Sequence, residues 1–127
     1  MTHHVRTTVA AFCLCLVVSG CAEDRYAYNM RRVYVTPWTQ MSPADRSEIV
    51  RLVSAATEQG IQGICRCTPN SKQISVFTGF SGVGAGVGER FRWHEFVLER
   101  RSNRWQIVAH NSISPFLAQL SLSHPPE

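Results

Sequence analysis

The chain has 127 residues, 44% of them hydrophobic, and its 13 Lys and Arg against 9 Asp and Glu give a formal charge of +4. That length suits one domain with a modest core and not two. The excess positive charge is small and dispersed, so composition offers no basis for a nucleic-acid partner.

His3, His4 and Arg6 give a polar, basic start, and Val9 to Val18 then runs without charge, Pro or Gly. The run falls far short of the roughly 20 apolar residues that cross a bilayer as a helix, and fits the apolar region of a secretory signal. It is apolar on all sides and lacks the stripe of a core-packing helix. It ends in Val18-Ser19-Gly20-Cys21, which resembles the lipobox of bacterial lipoproteins. The resemblance implies that residues 1–20 are a cleaved signal peptide and that Cys21 is lipidated and becomes the new N-terminus. It also implies attachment to a membrane through that lipid. Several acyl chains, at about 0.8 kcal/mol per buried methylene, make such attachment effectively permanent. Ala22 rather than Asp follows Cys21, which in the lipoprotein pattern implies the outer membrane, facing the periplasm, if the cell has two membranes.

Residues 21–127 carry 12 of the 13 basic side chains, and Lys72 is the one lysine among them. Cys13 and Cys15 leave with the signal, so Cys65 and Cys67 remain as thiols. In an oxidising compartment the simplest arrangement for two remaining cysteines is a disulfide. The loop it closes is tiny, so it contributes little through chain entropy and is prone to strain and reduction. Two free or part-buried thiols, or a metal or redox site, are the alternatives.

Residues 21–32 show no sustained periodicity and read as a lipidated tether that keeps the domain close to the membrane. The alternation of Tyr26, Tyr28 and Met30 with polar residues also suits an edge strand or a segment lying on the domain. A single domain is expected over 33–123, with 124–127 as a frayed end. Val33 to Thr36 is β-branched and aromatic, a short strand stopped by Pro37. Ser42 then offers an N-cap, Pro43 suits a first helical turn, and Asp45 completes a capping-box-like pattern at the positive end of a helix. Ile49, Leu52, Val53 and Ala56 recur at helical spacing, which predicts a helix over about 43–59, ended by Gly60, with those residues on its buried face.

Residues 61–71 read as a connection, and Gln73 to Phe80 as a strand with Ile74, Val76, Thr78 and Phe80 on one face and Phe77 on the other. A C-terminal hairpin is predicted over about 91–100 and 104–113, turned at Ser102-Asn103 because Asn tolerates positive φ. A two-residue turn sets Leu98 opposite Ile107, Phe96 opposite Ala109, Arg100 opposite Trp105, Glu95 opposite His110 and His94 opposite Asn111. Trp93, Val97 and Val108 then fall on the second face, so the sheet is expected to be curled or covered on both sides. Ser114-Pro115 repeats the cap-and-proline pattern, and Phe116, Leu117 and Leu120 suit a short closing helix. The class expected is α+β, one main helix packed on an antiparallel sheet.

Between Phe80 and Phe91, Gly82, Gly84, Gly86 and Gly88 alternate with small residues. The stretch has neither the Gly-Lys-Ser/Thr end of a phosphate loop nor the spacing of a dinucleotide fingerprint. It reads as a flexible connection, or as a partner-contact loop formed by Ser81, Gly82, Gly84, Gly86 and Gly88. Ser81-Gly82-Val83-Gly84-Ala85 resembles the short loop that periplasmic lysozyme inhibitors insert into their target. Glu95 opposite His110 pairs an acid with an imidazole, but no Ser or Cys nucleophile falls beside it, so a structural cross-strand pair is the expectation. Cys65, Cys67, His94 and His110 are the residues from which a soft-metal site would be assembled, and Cys-x-Cys alone does not specify one. Arg31-Arg32 and Arg100, Arg101 and Arg104 suit either solvated surface or contact with anionic head groups or glycan.

The helix-then-hairpin order, with Trp105 and Ile107 after the turn, resembles NTF2-like and cystatin-like domains. Such folds host enzymes and binding modules alike. No catalytic set, cofactor site or metal site emerges. The functional expectation is a non-catalytic envelope lipoprotein that binds an envelope protein or glycan near the membrane. The alternatives are an inhibitor or immunity protein acting through the 79–88 loop and a thiol or metal-binding protein using Cys65 and Cys67.

Overall fold

The structure is a computed structural model that describes residues 21–68, 72–80 and 92–126. Residues 21–32 are helical (α1). There follow α2 (Pro43–Ala56), β1 (Ile61–Cys65), β2 (Gln73–Thr78), β3 (Trp93–Arg101), β4 (Arg104–Ile113) and α3 (Pro115–Ser123). The strands form one antiparallel sheet in the order β1-β2-β3-β4. The fold is therefore α+β, with the expected main helix and C-terminal hairpin.

The start of α2 follows from its first residues. The Ser42 side chain accepts a hydrogen bond from the Asp45 N–H at 3.0 Å, and Pro43 supplies the first turn. The helix ends at Ala56 rather than near residue 59, because Thr57 is extended (φ −146°). The Thr57 Oγ1 accepts from the Gln59 N–H at 3.2 Å. A β-branched residue whose hydroxyl bonds its neighbours stops the helix before Gly60 is reached.

Ile49, Val50, Val53 and Ser54 are the buried residues of α2, so its face is rotated from the one expected, and Ala56 is exposed. The cause is α1. Residues 21–32 are a helix packed along α2 and not a chain without regular structure. Arg25 Nε donates to the Ser54 carbonyl at 2.9 Å, and Asn29 Nδ2 donates to Ser54 Oγ at 2.9 Å. Tyr26 and Ser47 share a hydroxyl hydrogen bond of 2.6 Å, and Glu23 pairs with Arg51, whose guanidinium lies 4.0 Å from the Tyr26 ring centre. Asn29 Oδ1 also accepts from the Ile61 N–H at 3.1 Å, which ties α1 to the first strand.

Ile61–Cys65, expected within a connection, is the edge strand β1. Val35 makes an isolated parallel bridge to Ile64, with Thr36 N–H donating to the Ile64 carbonyl and Ile64 N–H to the Tyr34 carbonyl. The strand expected at 33–36 is reduced to this bridge.

The sheet is covered on both faces. On one, Ile49, Val50 and Val53 of α2 meet Ile61, Ile64, Ile74, Val76, Phe96, Leu98 and Trp105. On the other, Cys65, Phe77, Trp93 and Ala118 form a smaller cluster with Trp38, Cys67, Ile113 and Leu122 beside it. Phe77 thus belongs to a second core under α3. Two glycines permit this. A Cβ at Gly63 would meet the methyls of Leu122, and a Cβ at Gly79 would meet the Trp93 indole. The closing helix forms as expected, capped by Ser114 Oγ accepting from Leu117 N–H at 3.1 Å, but it buries Ala118. Phe116 (69% exposed) and Leu117 (53%) face outward.

The hairpin turns with Ser102 (φ 52°) and Asn103 (φ 63°) both in the left-handed region. Its register matches expectation from the turn to Leu98↔Ile107 and then slips by one at a bulge, giving Val97↔Ala109, Phe96↔His110, Glu95↔Asn111 and His94↔Ser112. Val108 is the extra residue.

Candidate functional site

The bulge undoes the Glu95–His110 pair. Beyond it every β4 residue moves one position relative to β3, so Glu95 faces Asn111 and His110 joins Phe96 and His94. His110 stacks on Phe96 with ring centres 4.2 Å apart, and its Nε2 lies 2.9 Å from His94 Nδ1. His94 is held below the ordinary histidine range by burial first, then by the positive charges of His110 and Arg92. The four residues from which a soft-metal site was to be assembled do not converge. Cys65 pairs with Ser75, which pairs with Val97, whereas His94 points to the other face of β3. Among the described residues no three His, Cys, Asp or Glu are grouped to hold a metal.

The described residues do form an open cleft of about 680 Å³ between the start of α2, the end of β1 and the hairpin turn. Its apolar part is Met41, Ile74 and Trp105, and three cations, Arg66, Lys72 and Arg100, line it together with Asp45. Asp45, rather than closing a capping box, takes the Trp105 indole N–H at 3.1 Å and pairs with Arg100 at 3.4 Å. Glu48 accepts the Trp105 backbone N–H at 3.0 Å. These contacts fix the hairpin end against α2 and leave the one carboxylate of the cleft already engaged. Arg66 is fixed through its backbone, with its N–H on Thr39 Oγ1 at 2.8 Å, which in turn bonds Thr36 Oγ1 at 2.6 Å. Its Nε is buried and has no hydrogen-bond partner among the described residues. A buried donor without a partner is costly, so Arg66 Nε is a strained element of the cleft wall.

On the opposite face from Arg66 the two cysteines come together as free thiols. Cys65 is fully buried and its Sγ lies 3.3 Å from the Ser121 carbonyl of α3. Cys67, partly exposed, has its Sγ 3.8 Å from the Cys65 carbonyl. A hydrogen bond from Cys67 lowers the Cys65 thiol to about 7 against the opposing effect of burial, with Thr36 and Trp38 as further donors, while Cys67 is pushed far up. The direction is the expected one for two sulfurs sharing a proton.

No family model, curated protein or solved structure matches the chain. The likeness to NTF2-like and cystatin-like domains therefore rests on element order alone. The loop residues Ser81, Gly82, Gly84, Gly86 and Gly88 lie outside the described residues, as do residues 1–20. Cys21 is exposed at the start of α1. No described helix is long and apolar enough to cross a membrane.

Of the cleft residues, Arg100 stands out in the sequence as part of a basic cluster at the turn. Arg66 reads there as the spacer of Cys-x-Cys, and Lys72 as a lone exception to an arginine-rich composition. Only the return of β2 and the hairpin beside α2 brings the three together.

Proposed function

We propose that the chain is a non-catalytic binding module, anchored through lipid on Cys21 at the outer membrane of a two-membrane cell and facing the periplasm. Its cleft takes carboxylate or phosphate groups displayed by an envelope glycan or protein. The observation that carries this reading is the gathering of three cations, Arg66, Lys72 and Arg100, in the wall of one open cleft. Guanidinium groups match carboxylate and phosphate in geometry as well as charge. Asp45 pairs with Arg100 and takes the Trp105 indole N–H, which leaves Arg66 and Lys72 without a carboxylate partner among the described residues.

The described residues also support a binding role through what surrounds the cations. The remaining polar groups of the cleft, Gln40, Ser102 and Asn103, are hydrogen-bonding side chains suited to orienting a ligand. A partner already attached to the same membrane needs little affinity, since tethering raises its effective concentration.

Calorimetric titration of the full chain in detergent with pyrophosphate, and separately with a carboxylated oligosaccharide, tests the ligand class. Saturable binding that weakens as salt is raised is expected for at least one probe. Absence of binding to both overturns the reading. The anchor is tested by mass spectrometry of the chain recovered from envelopes: the N-terminal fragment is expected to begin at an acylated Cys21, and an unmodified Cys21 contradicts it.

A further inference from the structure

We propose that Cys65 and Cys67 form a thiol–disulfide exchange site, a dithiol that closes reversibly to an internal disulfide by reaction with a disulfide-bearing partner. Four structural features support this. First, the two cysteines pack in the same cluster on one side of the chain, and both are free. Second, they differ in access: Cys65 is fully buried beneath α3 and Cys67 reaches the surface. That is the division of labour between a sulfur that meets a partner and one that resolves the mixed disulfide.

Third, the Cys65 thiol is held below the ordinary thiol range, with Cys67 as the first cause. The Trp38 indole Nε1 is buried and has no hydrogen-bond partner among the described residues. The same N–H, the Thr36 hydroxyl and the Cys67 thiol are the donors that favour the Cys65 thiolate. The anion is therefore present near neutral pH, where exchange requires it.

Fourth, the spacing makes the bridge labile. Residues i and i+2 of an extended strand have Cα atoms about 6.6 Å apart, near the upper end of the range of about 4.4–6.8 Å that disulfides span. Closure needs the chain to contract at 65–67. Cys65 makes the last pair of β1, opposite Ser75, so Arg66 and Cys67 lie beyond the ladder, where the Arg66 N–H bond to Thr39 Oγ1 resists the contraction. A bridge formed against such a constraint is an oxidising one, easily reduced.

The exchange runs in two steps. The Cys67 sulfur, its proton passing to the shared site on Cys65, attacks one sulfur of the partner disulfide. This forms a Cys67–partner bond and expels the partner's other sulfur as a thiolate. The Cys65 sulfur, its proton passing to the expelled thiolate, then attacks Cys67, closing the internal disulfide and releasing the second partner sulfur as a thiolate that water protonates. Two electrons pass to the partner, whose disulfide becomes two thiols. The bridge removes the Cys65 S–H that reaches the Ser121 carbonyl and shifts Arg66, the residue between the cysteines, in the wall of the cleft.

The test equilibrates the full chain in detergent with glutathione at graded reduced-to-oxidised ratios, followed by differential alkylation and tryptic mass spectrometry. Cleavage after Arg66 reports the two cysteines separately. The expected result is that Cys65 and Cys67 oxidise in step, as an internal bridge with a midpoint inside the glutathione range. In Cys65→Ser the bridge is lost and glutathione accumulates on Cys67. In Cys67→Ser, Cys65 stays reduced. The proposal is overturned in the wild-type chain by any of three outcomes: glutathione on Cys67 with Cys65 still reduced, no oxidation at any ratio, or a bridge that no ratio reduces. None of these depends on whether the cleft binds an anion.

Discussion

Asn29 shows how much one side chain can connect. Its amide donates to Ser54 Oγ in α2 and accepts from the Ile61 N–H that opens β1, and it is 3% exposed. Nothing in residues 21–32 announces this, because the face that α1 buries is held by hydrogen bonds from Arg25, Tyr26 and Asn29 more than by an apolar stripe, and periodicity detects only the latter. His94 was similarly misplaced by a register that one bulged residue, Val108, displaces. Its environment carries a pH prediction. A histidine whose folded pKa is depressed is favoured neutral in the fold, so it contributes stability above its unfolded value near 6.5 that is lost as pH falls below it. Burial is the first cause, with His110 and Arg92 adding repulsion, and Glu95 lies on the other face. Urea unfolding at pH 7.5 and about pH 5 should show lower stability in acid. The loss should be smaller in His94→Gln, and an equal loss in both proteins would count against this role.

At the level of elements, α2 and the hairpin are legible because each is specified locally. Ser42-Pro43 sets a start that tertiary structure does not move, and Ser102-Asn103 sets a turn whose register holds until the bulge. β1 is less legible, since Gly63 interrupts a five-residue strand and a second bulge falls between Ile61 and Gly63. That glycine is explained by what lies across it. Leu122 of α3 packs on Gly63, and the Trp93 indole packs on Gly79. The two sites differ in how their neighbours can yield, as leucine methyls can rotate away whereas an indole held by a hydrogen bond to the Phe80 carbonyl at 3.2 Å cannot. Gly79→Ala should therefore destabilise by about 1–3 kcal/mol in chemical denaturation, and Gly63→Ala by less. Adding Leu122→Ala should reduce the cost of Gly63→Ala, the sign of a coupled pair. Equal costs at both glycines, with no coupling to Leu122, would contradict this packing.

Across the whole molecule, the sequence indicates that both sheet faces are occupied, through Phe77, Trp93 and Val97 on the face away from α2, but not what occupies them. The second face is closed by α3 with Ala118 and Leu122, while the larger Phe116 and Leu117, which suit the closing helix, point outward. The cleft is less legible still. Its cations come from the end of β1, the start of β2 and the hairpin turn, and its acid from the cap of α2. Residues scattered from 40 to 105 carry no common spacing, so a site assembled by the sheet leaves no motif in the chain.

The cleft lined by Arg66, Lys72 and Arg100 is the proposed anion site. The most direct measurement is the affinity of the full chain for pyrophosphate beside that of Arg66→Gln, with circular dichroism confirming that both are folded. A hydrogen-bonded charge is worth about 1.5–3 kcal/mol, so the variant should bind about tenfold more weakly or worse. Equal affinity in the two proteins, or no saturable binding by either, would contradict the account.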